Sequence, residues 1–397
     1  MTKQTEAVGH QVRAIYMYSA MADVAALTGD AAYIGAMEKI WDDFVGCKMY
    51  ITGGVSGEGE SFARPYHLPN RKAYCETCAS IASALWNHRM FLLSGDAKYM
   101  DIFERVLYNG LLSGISLDGS GFYYKNPMAA DSTEKFNHGF IRRSPWQGCP
   151  CCPPNIARFI PSVPGYIYGT DGKDLYVNLF AGSKTAVQLA GTNVQICQET
   201  RYPWEGKVVV TIDVAVPVEF GMRVRIPGWA QGRPVPSDLY RYAASDSRPV
   251  KLSVNGADVP LVLDKGYAVV RRLWKSGDRL DLELQMPVRR VLANEKVEAD
   301  RGRVALERGP IVYCAEGVDN ENAIEGLVVD AGVNLVAEHH PDLLDGVTVL
   351  RGKIGRIVVT DGVKKTEPCE LLAVPYSTWA NRQVGPMAVW FASGKDK

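Results

Sequence analysis

The stretch "ALTGDAAYIGAMEKIW" (residues 26–41) returns 66 positions later as "LLSGDAKYMDIFERVL" (residues 92–107). Gly-Asp-Ala, a tyrosine and the apolar positions stay in register between the two copies. A glycine in the left-handed conformation ends one helix, and the aspartate after it caps the next. Upstream, "HQVRAIYMYSAMADVAALTGD" (10–30) carries apolar residues at helical spacing and stops at Gly29. A repeated helix–turn–helix unit cannot bury its apolar stripe alone and stacks on copies of itself, which predicts an α-solenoid or an α/α toroid.

Beyond residue 165 the period changes from 3.6 to 2. "KVVVTIDVAV" (207–216), "MRVRIPGW" (222–229), "KLSVNG" (251–256) and "RLDLELQM" (279–286) read as short strands between Gly, Pro, Asn and Asp turns, the pattern of a β-sandwich. A further all-β stretch runs from "RGRVALERGPIVYCAEG" (301–317) to "MAVWFA" (387–392). The charged residues of these strands alternate with apolar ones and read as solvated faces. The expected organisation is α + β and multidomain, with a helical domain over 1–165, a β-sandwich over 166–290 and a second β-sandwich region over 291–397.

With 397 residues, 47% of them hydrophobic, the chain can bury several cores. Lys plus Arg and Asp plus Glu each total 44, so no net basic field gathers nucleic acid or an anionic membrane. No run approaches the ~18 apolar residues of a membrane span, and "MTKQTEAVGH" lacks a signal-peptide core, so a cytoplasmic protein is expected. Five of nine cysteines crowd into "AYCETC" (73–78) and "CPCC" (149–152), which suits metal or catalytic use better than a disulfide framework. Two arrangements are open. Cys75-x-x-Cys78 with Cys149-x-x-Cys152 would make a structural zinc site of four cysteines; Glu76, Cys78, Cys151 and Cys152 would make a site of one glutamate and three cysteines. Spacing does not choose between them.

The motifs "GHQVRAIYMYSAMADVA", "TGGVSGEGESF", "YCETCASIA", "FYYKNPM", "CPCCPPNIARF" and "VPYSTWANR" resemble, in order, those of glycoside hydrolase family 127, the bacterial β-L-arabinofuranosidases and their relatives. The resemblance covers most of the chain. It implies an (α/α)6 barrel followed by β-sandwich domains, a Zn2+ ion held by Glu76, Cys78, Cys151 and Cys152, and Cys151 as nucleophile. The acid/base carboxylate would be Glu60, with Glu58 in reserve. His10, Glu76 and Tyr124 would contact the sugar; Tyr123 is one step from Tyr124, and strand alternation allows only one to face the site. Trp86 and His88 are assigned to helix packing, His339 and His340 to the surface, and Cys47, Cys197, Cys314 and Cys369 to buried structural thiols.

A retaining glycosidase normally pairs two carboxylates. A sulfur nucleophile must be a thiolate, and metal coordination removes the proton that a free thiol, with a pKa near ~8.5, keeps at neutral pH. Release of L-arabinofuranose with retention follows, Glu60 serving first as acid and then as base. Residues 1–165 supply about five or six helices, roughly half of such a ring. The expectation is either a truncated product or a chain completed by a second polypeptide or by self-association over an exposed apolar helix face. The alternative is a non-catalytic remnant, in which a four-cysteine zinc site and the β-sandwiches serve binding or scaffolding.

Overall fold

The computed structural model describes every residue except 56, 58, 246, 247 and 395–397. Among the described residues the helical region holds five α-helices: α1 (Gln11–Thr28), α2 (Ala31–Cys47), α3 (Thr77–Ser94), α4 (Ala97–Arg105) and α5 (Cys152–Phe159). The repeat is built as its sequence requires. Gly29 and Gly95 end α1 and α3 with φ of 68° and 65°. Asp30 and Asp96 then cap α2 and α4, accepting hydrogen bonds from the amides of Ala32 (2.8 Å) and Lys98 (2.9 Å). The two hairpins stack through α1 on α3, and α5 packs on α3 as well. Tyr18 and Trp86 meet at 5.2 Å across that contact, and Trp41 donates from Nε1 to Asn87 Oδ1 at 2.8 Å, so a polar group in the core is satisfied. Trp86 and His88 lie in this packing, His88 against Tyr166 at 4.6 Å. The large apolar side chains exposed on these helices are Val24 and Leu27 of α1 and Leu92 of α3, toward the C-terminal ends. The broad apolar face expected of an incomplete ring is therefore reduced to isolated positions.

The next region is a two-sheet sandwich. One sheet orders six strands as Ala257–Asp258, Lys251–Val254, Arg279–Glu283, Lys207–Val214, Thr192–Thr200 and Ser183–Leu189. The other orders five as Leu263–Asp264, Tyr267–Trp274, Val218–Arg225, Asp174–Val177 and Tyr168–Thr170. Val208, Val210, Ile212 and Leu282 from the first sheet share one core with Phe220, Met222, Val224 and Val270 from the second, the inward half of each alternation.

The C-terminal region differs from a second sandwich. Among the described residues its sheet has eleven strands, and part of it closes on itself. Strand Arg303–Arg308 pairs through Arg303–Ala305 with Trp390–Ala392 and through Leu306–Arg308 with Ile311–Glu316, and this second pairing closes a ring of strands within the sheet. The tight Arg308–Ile311 turn, with Gly309 at φ 57°, makes the second pairing possible. Val304, Leu306, Tyr313, Leu350, Leu371 and Phe391 fill the interior. Strand Val288–Ala293, which straddles the expected boundary at 290, belongs wholly to this sheet, and Tyr240–Tyr242 leaves the middle region to pair with it. His339 and His340 lie on strand Val336–His340 at its rim. Cys47 and Cys314 are buried, whereas Cys197 and Cys369 are partly exposed on their strands, a correction to the expectation that all four are buried.

The regions are locked together by buried charge. Arg225, fully buried in the sandwich, reaches Asp101 and Glu104 on α4. Arg143 donates to the carbonyl of Trp379 at 2.6 Å, and the Tyr376 hydroxyl donates to the Pro127 carbonyl at 3.0 Å. Trp379 stacks on Tyr123 at 5.1 Å. The "VPYSTWANR" segment thus braces the loop that carries Tyr124. No helix among the described residues is long and apolar enough to cross a membrane.

Candidate metal and active site

The two cysteine clusters meet at two helix starts. Glu76 and Cys151 occupy the N-cap positions of α3 and α5, Cys152 is the first residue of α5, and Cys78 is the second of α3. Pro153 in the first turn of α5 costs no hydrogen bond there and holds the backbone stiff. Both helices therefore direct their positive ends at the same point, which favours thiolate and carboxylate. Cys75, at φ 37°, turns the chain the other way; its sulfur lies against Gly54, where any Cβ would stand 2.7 Å from it.

The side-chain oxygen of Glu76 and the sulfurs of Cys78, Cys151 and Cys152 all lie within 4.8 Å of one another. Cys78 Sγ is 3.5 Å from Cys152 Sγ, Cys151 Sγ is 3.7 Å from Cys152 Sγ, and Cys151 Sγ is 3.5 Å from Glu76 Oε1. Donors bound tetrahedrally at ~2.1–2.3 Å would stand roughly 3.6–3.8 Å apart. Glu76 Oε2 is buried without a hydrogen-bond partner. Burial, reinforced by Cys151, pushes Glu76 up to about 8. Hydrogen bonds from Cys151 and Cys152 pull Cys78 down to about 5, and the same contacts push Cys152 far up. Alone, the cluster accommodates one thiolate and resists a second negative charge. Such a donor set fits a thiophilic divalent cation. Cys75 is fully buried and Cys149 exposed, and neither is among the four.

Glu60 stands beside this cluster. Its loop is pinned to the start of α1: the Gln11 amide donates to the Glu60 carbonyl at 2.8 Å, and Gln11 Nε2 donates to the Gly59 carbonyl at 2.9 Å. A Cβ at Gly57 would fall 2.2 Å from Gln11 Nε2 and 2.3 Å from the Ser61 carbonyl, so this approach admits only glycine. The Glu60 carboxylate is contacted by His10 Nε2 at 3.2 Å, the Tyr124 hydroxyl at 3.3 Å and the Tyr74 hydroxyl at 3.5 Å. Burial, with the charges of Glu76 and Cys151 beside it, drives the Tyr124 phenol far up, so it stays protonated and donates. Tyr124 packs with Tyr74, Cys78 and Cys152, whereas Tyr123 turns to Trp379 and Arg143. Glu58 lies outside the described residues.

Three residues of this site have no place in the sequence reading. Tyr74 precedes the first cysteine cluster and points at Glu60. Asn155, within "CPCCPPN", bonds to Tyr16 and Arg158 and toward Cys78. The His138 ring packs on Tyr124 with centroids 4.2 Å apart and the planes tilted by 51°. Adjacency to the cysteine motifs could have flagged the first two; nothing in the sequence flags His138.

Three family models match the chain in succession. Residues 1–165 match the description "Beta-L-arabinofuranosidase, GH127 catalytic domain", residues 174–286 the GH127 middle domain, and residues 288–392 the family 127 C-terminal domain. The chain belongs to glycoside hydrolase family 127. A non-reducing end beta-L-arabinofuranosidase of Bifidobacterium longum subsp. longum is 36% identical over 416 residues, covering 98% of this chain and 60% of that protein. A solved GH127 beta-arabinofuranosidase superposes with a TM-score of 0.95 at 45% identity, over 99% of this chain and 61% of that one. A GH127 beta-L-arabinofuranosidase from Geobacillus stearothermophilus T6 superposes at 0.91 with 40% identity, over 99% and 62%. This family 127 chain thus spans about six-tenths of the length of these relatives.

Proposed function

We propose that this chain carries the reacting groups of a retaining β-L-arabinofuranosidase, with Cys151 as nucleophile, Glu60 as acid/base and Zn2+ held by Glu76, Cys78, Cys151 and Cys152. The observation that carries the reading is one of access: Glu76, Cys78 and Cys152 are buried, and Cys151 alone of the four is partly exposed. The one partly exposed sulfur of the cluster sits among buried partners. The bound ion would supply the positive charge that keeps these sulfurs as thiolates.

In this reading the stacked hairpins α1–α2 and α3–α4, with α5, form part of an (α/α)6 barrel. Glu60, whose side chain is 48% exposed, protonates the glycosidic oxygen. Cys151 Sγ bonds to the anomeric carbon as the bond to the leaving oxygen breaks. Glu60, now a carboxylate steadied by Tyr124, Tyr74 and His10, takes a proton from water, and that water displaces the sulfur with a second inversion and net retention. His10, Glu76 and Tyr124 contact the sugar. All nine cysteines are free, which suits a reducing compartment, and we place the protein in the cytoplasm.

Assay of an aryl β-L-arabinofuranoside in aqueous methanol tests the reading. Retained methyl glycoside with the parent protein and none with Cys151→Ser is the expected result. An inverted product, or unchanged turnover by Cys151→Ser, contradicts it.

A further inference from the structure

The turn that touches Tyr124 is built against its own backbone preference. Asn137 and Phe140 exchange main-chain hydrogen bonds at 2.9 and 3.0 Å, leaving His138 and Gly139 as a two-residue tip. Their φ angles are 49° and 92°. Positive φ at both positions selects Asn, Asp or Gly for the first of them, and a histidine there carries strain. The tip is held fast. The buried Asn137 side chain accepts from the Tyr124 amide at 2.7 Å and donates to the carbonyls of Phe122 at 3.1 Å and Arg142 at 3.0 Å.

The strain places an imidazole where it packs little and faces outward. His138 is exposed, with its ring centroid 4.2 Å from that of Tyr124, and Tyr124 is 2% exposed with its hydroxyl on Glu60. Local chemistry would be better served by asparagine, and the core gains little from an exposed ring. A strained residue fixed by its surroundings at the lip of a site points to a role in that site. Glu60 meets the leaving oxygen in the proposed reaction, so the lip beside Tyr124 lies on the side from which the leaving group departs.

We infer that His138 is a specificity-determining residue that hydrogen-bonds a hydroxyl-bearing leaving group, a second sugar, as it sits beside Glu60. This rests on the hydrolase reading above. A neutral imidazole offers one donor and one acceptor, which matches a sugar hydroxyl that both donates and accepts.

The test compares His138→Asn and His138→Gly with the parent chain. Both substitutions relieve the turn, so the thermal midpoint should hold or rise. The substrates are a β-L-arabinofuranosyl disaccharide and an aryl β-L-arabinofuranoside whose leaving group has no other hydroxyl. The expected result is a disaccharide-to-aryl ratio of kcat/KM about 10-fold lower in both variants than in the parent. Parallel loss on both substrates, or no loss on either, overturns the inference. If the parent hydrolyses neither substrate, the hydrolase reading fails separately, and calorimetric titration with the disaccharide decides: weaker binding by both variants supports the contact, while equal or absent binding to the parent overturns it.

Discussion

The hydroxyl of Tyr124 stands 3.3 Å from Glu60 Oε1, and the same ring packs with Cys78 and Cys152. One side chain therefore joins the Glu60 carboxyl to the sulfur cluster. Its phenol is kept protonated by burial and by the negative groups around it, so it acts as a donor throughout.

Removing that donor should slow the chemistry without unfolding the chain. A hydrogen bond to a charged group contributes about 1.5–3 kcal/mol, so Tyr124→Phe is expected to lower kcat/KM by roughly 10- to 100-fold, with the circular dichroism spectrum kept. Steady-state kinetics on an aryl β-L-arabinofuranoside checks this.

Metal content should follow the four clustered donors and ignore the other two clustered cysteines. Cys78→Ser and Cys152→Ser are expected to lose the ion, whereas Cys149→Ser keeps about one per chain. Elemental analysis after gel filtration is the readout. Loss by Cys149→Ser together with retention by Cys151→Ser would favour the four-sulfur arrangement instead.

Asp300 gives a pH dependence of stability away from the metal site. Burial raises its carboxyl to about 7, against hydrogen bonding from Asn70 at 2.8 Å and the charge of Arg303. The folded state then holds a proton that the unfolded state has lost, so stability falls as pH rises from about 4 to about 7 and levels off above. Asp300→Asn cannot ionise. Its stability relative to the parent should improve across that window by an amount on the order of 4 kcal/mol at most. Urea melts of both proteins at several pH values measure the difference, and a constant offset would refute the assignment.

Trp379 should matter both to stability and to turnover, because it stacks on Tyr123, the neighbour of Tyr124. Trp379→Ala is expected to cost about 3–5 kcal/mol in denaturant melts and to lower kcat even where the protein remains folded.

The sequence announces what local chemistry decides. Gly29 with Asp30, and Gly95 with Asp96, are stop and start signals whose effect depends on a few neighbouring residues, and the helices end and begin where those signals fall. Alternation marks the sandwich strands for the same reason. The clustering of Glu76 and Cys78 with Cys151 and Cys152 is a tertiary fact: spacing leaves two ligand sets open, and the turn at Cys75, which sends its sulfur toward Gly54, singles out one grouping. Closure of the C-terminal sheet depends on Arg303–Arg308 pairing on both sides, and Tyr240–Tyr242 joins a sheet far along the chain. Neither leaves a local signature. His138 has none either, since its role depends on a backbone angle and on a ring contact with Tyr124, which is distant in sequence.

The central claim is that Cys151 attacks the sugar, and trapping the attached sugar tests it most directly. In a Glu60→Ala variant given an aryl β-L-arabinofuranoside with a good leaving group, the first step needs no acid, while the second lacks its base. The sugar should accumulate on the protein, and mass spectrometry of the digested protein should find one pentose on the peptide containing Cys151. A pentose on a carboxylate, or none while the variant still releases phenol in an initial burst, would contradict the account.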